Sequence, residues 1–166
     1  MRCATKLMFH AKTRLLTTMI AAALSQALPT TVFAQASVEL KQTVAIGVNL
    51  RAKLVQEMVD SVFSFAEPGF QEVETSKYIT GILEANGFVI ERGIAGIPTA
   101  WTATWGSGGP LIALGSDIDG LLGLSQFPGT ADIKPMVPGA PGHGEGHNSG
   151  MPMMVAAALA VKEVME

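Results

Sequence analysis

Residues Gly142-His143-Gly144-Glu145-Gly146-His147-Asn148 set two imidazoles on either side of one carboxylate, with glycine alternating between them. Imidazole nitrogen and carboxylate oxygen are competent ligands for zinc or manganese. The glycines let the backbone curl tightly enough for neighbouring side chains to converge on one ion. Glu145 and His147, with His143 beside them, are therefore candidate metal ligands. Three glycines in so short a run argue against the helical H-E-x-x-H arrangement of zinc proteases. The competing interpretation is a flexible glycine-rich loop with solvated histidines. The intervening carboxylate, a helix N-terminus just behind and two aspartates upstream favour the metal.

Asp117-Ile118-Asp119 is the second cluster, and in an extended segment this spacing sends both carboxylates to the same side. Two anions so placed call for a cation or a shared proton. A strand-ending turn capped by Asp119-Gly120 explains the spacing equally well. Glu67-Pro68-Gly69 reads as helix punctuation, Glu72 and Glu74 as a solvated first turn, and Met151, Met153 and Met154 as core.

These clusters need elements to hold them. Between Val38 and Phe65 the apolar positions Leu50, Leu54, Val55, Met58, Val59, Val62 and Phe63 recur at helical spacing, which predicts one amphipathic helix ended by Glu67-Pro68-Gly69. A second helix runs from Val73 to Asn86-Gly87. Phe88-Val89-Ile90 and Ala100 to Trp105 read as short strands. Leu111-Ile112-Ala113-Leu114-Gly115-Ser116 reads as a third strand, buried on both faces and delivering Asp117 and Asp119 at its carboxyl end. That end is where open α/β sheets bind ligands. Residues 123–142, dense in proline and glycine, form a long loop, and a last helix begins near Asn148 or Ser149 with Pro152 in its first turn. The order favours an α/β layer architecture.

Upstream of all this, Arg2, Lys6, Lys12 and Arg14 precede the apolar run Leu15 to Leu24. Pro29 and the small residues of Val32-Phe33-Ala34 and Ala34-Gln35-Ala36 follow. That is the pattern of a cleavable secretory signal over residues 1–36, cut after Ala34 or Ala36, with a periplasmic or secreted product. Thr17, Thr18, Ser25 and Gln26 interrupt the run, which argues against a stable membrane anchor. Cys3 is the sole cysteine, so disulfides play no part after cleavage. Seven basic residues then face fourteen acidic ones, about −7, which makes nucleic acid a poor partner.

Read in order, Phe65-Ala66-Glu67-Pro68-Gly69-Phe70, Glu74-Thr75-Ser76, Asn86-Gly87-Phe88, Gly96-Ile97-Pro98-Thr99-Ala100, Asp117-Ile118-Asp119-Gly120-Leu121, Gly123-Leu124-Ser125-Gln126 and Gly139 through Asn148 resemble the M20 metallopeptidases and amidohydrolases. The likeness is to the branch of aminobenzoyl-glutamate hydrolases and N-acyl-amino-acid amidohydrolases. It implies a catalytic α/β domain holding two divalent ions, zinc or manganese, together with a smaller lid or dimerisation domain. It also implies hydrolysis of amide bonds in a small N-acyl amino acid or dipeptide-like substrate, and is compatible with a homodimer in the full-length enzyme. By the same resemblance His147 matches a metal ligand and Asp119 an aspartate that assists ligand orientation. Glu145 stands where this branch has a cysteine and other branches a bridging aspartate. Asp117 lies where many members place a histidine ligand and this branch commonly has an aspartate, and His143 belongs to the family loop.

A carboxylate at 145 can still bridge, though it makes the site harder and shifts metal preference. The family's Glu-Glu pair, its general base and a further ligand, follows the metal loop by about one helix and one strand. Residues 37–166 are accordingly expected to form the amino-terminal part of such a catalytic domain, without the lid and inactive by themselves. The alternative is a non-catalytic periplasmic remnant that binds metal or a partner.

Overall fold

The computed structural model describes residues 37–165. The expected signal peptide lies outside the described residues. Ser37 starts the first helix, α1 (Val38–Leu50), by accepting the Leu40 amide on its hydroxyl at 3.1 Å. The single helix expected up to Phe65 is two, because Arg51 leaves helical geometry (φ −93°, ψ 5°) before α2 (Ala52–Phe65) begins. Neither proline nor glycine causes this break. The Arg51 guanidinium instead reaches back to the Gly47 carbonyl (2.7 Å) and across to Glu163 on the last helix, so the bend lies where a long-range ion pair holds it.

Ala66 ends α2 in the left-handed region (φ 45°, ψ 43°), and Pro68 cannot continue it. The next helix, α3 (Val73–Ala85), has no side-chain cap from its own preceding residue. It ends at Asn86-Gly87, where Gly87 takes φ +82° and the Phe88 amide returns to the Leu83 carbonyl at 3.1 Å. Two strands follow, β1 (Val89–Arg92) and β2 (Trp101–Thr104), antiparallel with Val89 opposite Thr104 and Arg92 opposite Trp101. The last helix, α4 (His147–Met165), begins two or three residues earlier than an N-cap at Asn148 or Ser149 would place it, and Pro152 falls in its second turn rather than its first.

Met58 and Val62 of α2, Ile79 and Leu83 of α3, and Met151, Val155 and Leu159 of α4 form the buried core. Ile118 and the sheet residues Ile90, Trp101 and Ala103 pack against it. Gly47 lets α1 approach α4, since a Cβ there would lie 2.7 Å from Glu163 Oε2 and 3.6 Å from the Ala160 methyl. No described helix is long and apolar enough to cross a membrane.

Three further expectations need correction. The described residues form a two-stranded sheet, and Leu111–Ser116 joins no ladder. Leu111, Ile112 and Leu114 are 86%, 57% and 46% exposed. A strand apolar on both faces requires backbone partners and covering layers, and β1 and β2 supply their hydrogen bonds to each other. Glu72 is buried rather than solvated, accepting the Thr99 hydroxyl at 2.6 Å. Met153 is exposed, while Met151 does join the core. The architecture is thus mixed helix and small sheet, consistent with an α/β fragment.

The long loop 123–142 is present, and three side chains hold it: the Ser125 hydroxyl accepts the Val137 amide (3.1 Å), the Thr130 hydroxyl donates to the Phe127 carbonyl (3.0 Å), and Gln126 makes the most bonds. Gln126 accepts the Lys134 amide (2.8 Å) and donates to the Asp132 carbonyl and Thr130 hydroxyl (both 2.7 Å). Its far end returns to the core through paired bonds between Leu121 and Gly142 (2.9 and 3.0 Å). A Cβ on Gly142 would collide with the Leu124 carbonyl, so glycine is obligatory there.

Candidate functional site

Three backbone segments meet at the start of α4. The Gly120 amide donates to the Glu67 carbonyl (2.7 Å), which fixes Asp119 beside the turn that leaves α2. The Leu121–Gly142 bridge then lays the His143–Gly146 turn against the same place. Gly146 takes φ +87°, and its carbonyl receives the Ser149 and Gly150 amides, so that α4 starts with His147 aimed back at Asp119.

His147 is the hub. Its Nδ1 lies 3.0 Å from Asp119 Oδ1 and 3.1 Å from the Asp119 carbonyl, and its Nε2 lies 3.3 Å from Glu145 Oε2 and 3.9 Å from Asp117 Oδ2. A carbonyl oxygen only accepts, so Nδ1 carries the ring proton. In a neutral ring Nε2 then presents a lone pair to two carboxylates. Such an arrangement is repulsive unless a proton or a cation occupies the space between them. A carboxylate or carbonyl that holds the far nitrogen of a histidine and orients the near one is the usual outer support of a metal-binding imidazole. The Asp117/Asp119 spacing does what extended geometry demands, with both acids on the His147 side.

Exposure grades the candidates. The His147 and Asp119 side chains are mostly covered, Glu145 is half exposed, and Asp117, 83% exposed, is the loosest of the four. Among the described residues no three His, Cys, Asp or Glu side chains stand as a closed group able to hold an ion. The donor set offers one nitrogen and two carboxylates on one side of a space open to solvent. These are donor types that a borderline-hard divalent cation accepts.

His143 is placed differently from its neighbours. Its Nε2 donates to the Val62 carbonyl at 2.9 Å, tying the loop to the end of α2, and its Nδ1 is buried without a hydrogen-bond partner. Burial lowers its pKa from the ordinary value of 6.5, the Val62 carbonyl pulls the other way, and repulsion from His147 adds to the lowering. A neutral His143 holding the loop leaves only Nδ1 for any ligand role.

Glu67 is the residue whose part in this neighbourhood its sequence context hides. Its carboxylate accepts the Glu74 and Thr75 amides, each at 2.9 Å, and so caps α3 from the preceding loop. The signal was a helix opening at Val73 without Ser, Thr, Asp or Asn just before it.

The chain is 38% identical over 110 residues to one of the subunits of the p-aminobenzoyl-glutamate hydrolase of Escherichia coli (strain K12). The aligned stretch is 66% of this chain and 23% of that relative, so the chain spans about a quarter of the protein it matches. No family model and no solved structure matches the chain.

Proposed function

We propose that this chain carries part of the metal cradle of an M20-type amidohydrolase, which cleaves the amide bond of an aminobenzoyl-glutamate or another N-acyl amino acid. The observation that carries this reading is the His147 ring. Its Nδ1–H is held by Asp119, and its Nε2 faces Glu145 and Asp117. The partial similarity to a hydrolase subunit supports the substrate class. His147, Glu145 and Asp117 would hold zinc or manganese, with His143 Nδ1 in reserve.

Bound divalent ions supply the Lewis acidity that polarises an amide carbonyl and makes water a nucleophile near neutral pH. The chain's own residues act around that chemistry. Asp119 fixes the tautomer and direction of His147, which keeps the Nε2 lone pair aimed at the open space. Glu145 and Asp117 give that space the negative charge that attracts a cation. The Leu121–Gly142 bridge and the His143 bond to Val62 keep the loop from swinging away.

Titration calorimetry with zinc and manganese tests the reading. Binding is expected in the wild-type chain and should weaken at least ten-fold in His147→Ala and Glu145→Ala, while His143→Phe retains most of it. Equal binding in all of these would make the segment a solvated glycine-rich loop with no part in holding metal. The catalytic half of the proposal is checked by hydrolysis of p-aminobenzoyl-glutamate by the full-length gene product, with and without chelator. Turnover that survives both the chelator and His147→Ala would end it.

A further inference from the structure

Glu67 touches both ends of the problem of holding Asp119. Its backbone carbonyl takes the Gly120 amide at 2.7 Å, its neighbour Pro68 forms the bridge to Gly120, and its carboxylate is bolted by two amides to the first turn of α3. Gly69, two residues on, lies so close that an added Cβ would sit 3.6 Å from Asp119 Oδ2. The turn from Ala66 to Gly69 is thus a strap. One end is anchored on a 13-residue helix packed into the core, and the middle carries the segment that bears Asp119.

We propose that Glu67 is a positioning residue: by tethering this strap to α3 it sets where Asp119 stands, and through Asp119 it sets the tautomer and direction of the His147 ring. The inference rests on the metal reading for its purpose, and on hydrogen bonds alone for its geometry. Glu67 is not offered as a ligand, because both carboxylate oxygens are already engaged by main-chain amides. Without its carboxylate the Gly120–Glu67 bond can persist, but the strap and Asp119 would move together relative to α4, where His147 begins. Outer partners of metal ligands commonly change affinity by about ten- to a hundred-fold when removed.

A mere helix cap would lower stability and leave the site unchanged, so the test reads the site. In metal-free protein at pH 8.5, ring-nitrogen chemical shifts of His147 should report a single Nδ1–H tautomer in wild type. Glu67→Ala should give a mixture. Glu67→Gln, which keeps one acceptor oxygen, should lie between them and decides the matter if the alanine variant fails to fold. With Co²⁺ as probe, the alanine variant should bind at least ten-fold more weakly and with altered visible bands. Identical His147 spectra in all three proteins would overturn the inference, whatever the metal does. A wild type that binds no Co²⁺ while Glu67→Ala still loses the tautomer bias would remove the metal reading and leave the positioning role standing.

Discussion

His143 and His147 sit four residues apart in one glycine-rich turn, yet the fold gives them opposite tasks, and the difference lies in which atom faces a carbonyl. His147 donates through Nδ1 and keeps Nε2 outward, whereas His143 donates through Nε2 and buries Nδ1. The His143 arrangement has a pH consequence. Its folded pKa is lowered below 6.5 by burial. As pH falls below 6.5 the unfolded chain takes up the proton first, so this residue's contribution to stability is complete above that value and is lost between 6.5 and the lower folded pKa. Urea unfolding in chelator from pH 8 to pH 5 should therefore show the advantage of wild type over His143→Phe shrinking as the solution is acidified. At pH 8 the variant should lose about 1 kcal/mol, the net value of one hydrogen bond, because the Val62 carbonyl still receives the Ala66 amide. A constant gap across the range would mean that His143 titrates alike in both states. The sequence already indicated the cluster of Asp117, Asp119, Glu145 and His147, because period-two spacing and alternating glycines constrain side-chain direction locally. The His143 bond spans 81 positions to Val62 and was not legible from the motif.

At the scale of elements, local signals and long-range forces separate cleanly. Asn86-Gly87 ends α3 where its left-handed preference dictates, and β1 and β2 form where short β-branched and aromatic runs flank the Gly93–Thr99 turn. The break at Arg51 carries no such signal, since the periodicity of the whole stretch is helical and its cause sits on α4. Arg51 holds the Gly47 carbonyl and Glu163 at once, and close α1–α4 packing at Gly47 leaves room for no larger side chain. The Arg51 guanidinium lowers the pKa of Glu163 from its ordinary 4.5. A carboxylate with a lowered folded pKa contributes stability above its unfolded value, and that contribution disappears as pH falls through the folded one. Melting curves of wild type and Glu163→Gln should accordingly differ at pH 7 and draw together as the solution is acidified below the ordinary carboxylate range. Loss of helical signal in the glutamine variant should be confined to about one helix's worth, because α2 and α3 keep their core contacts. Melting curves that stay separated at low pH would place the effect in packing rather than charge.

For the molecule as a whole, the segment Leu111–Ser116 is where sequence and structure part, and the reason is physical. Its composition encodes a strand meant for burial on both faces, and burial of that kind comes from neighbours rather than from the segment. Within residues 37–165, α2, α3 and α4 build a core on one side, and the segment borders an open groove lined by Trp101, Met151, Val155, Ala158 and Val161. Ile118 alone reaches the core from this stretch, which suffices to seat the neighbouring aspartates while Leu111, Ile112 and Leu114 face water. Exposed apolar groups beside unpaired backbone amides and carbonyls attract dyes and other chains, and charge is the usual remedy. A purified chain of residues 37–166 should therefore bind the hydrophobic dye ANS and sediment as concentration-dependent oligomers. Ile112→Lys with Leu114→Lys should reduce both, with the melting temperature unchanged within about 2 °C because neither residue belongs to the buried core. The double variant should also keep whatever zinc affinity the wild type shows, since Asp119 is held by the Gly120–Glu67 bond and by Ile118 in the core, and not by Leu111–Ser116. Collapse of zinc affinity or of the melting temperature in that variant would show instead that the Leu111–Ser116 segment is a structural support of the site, and the strap from Glu67 would not be enough to hold Asp119 in place.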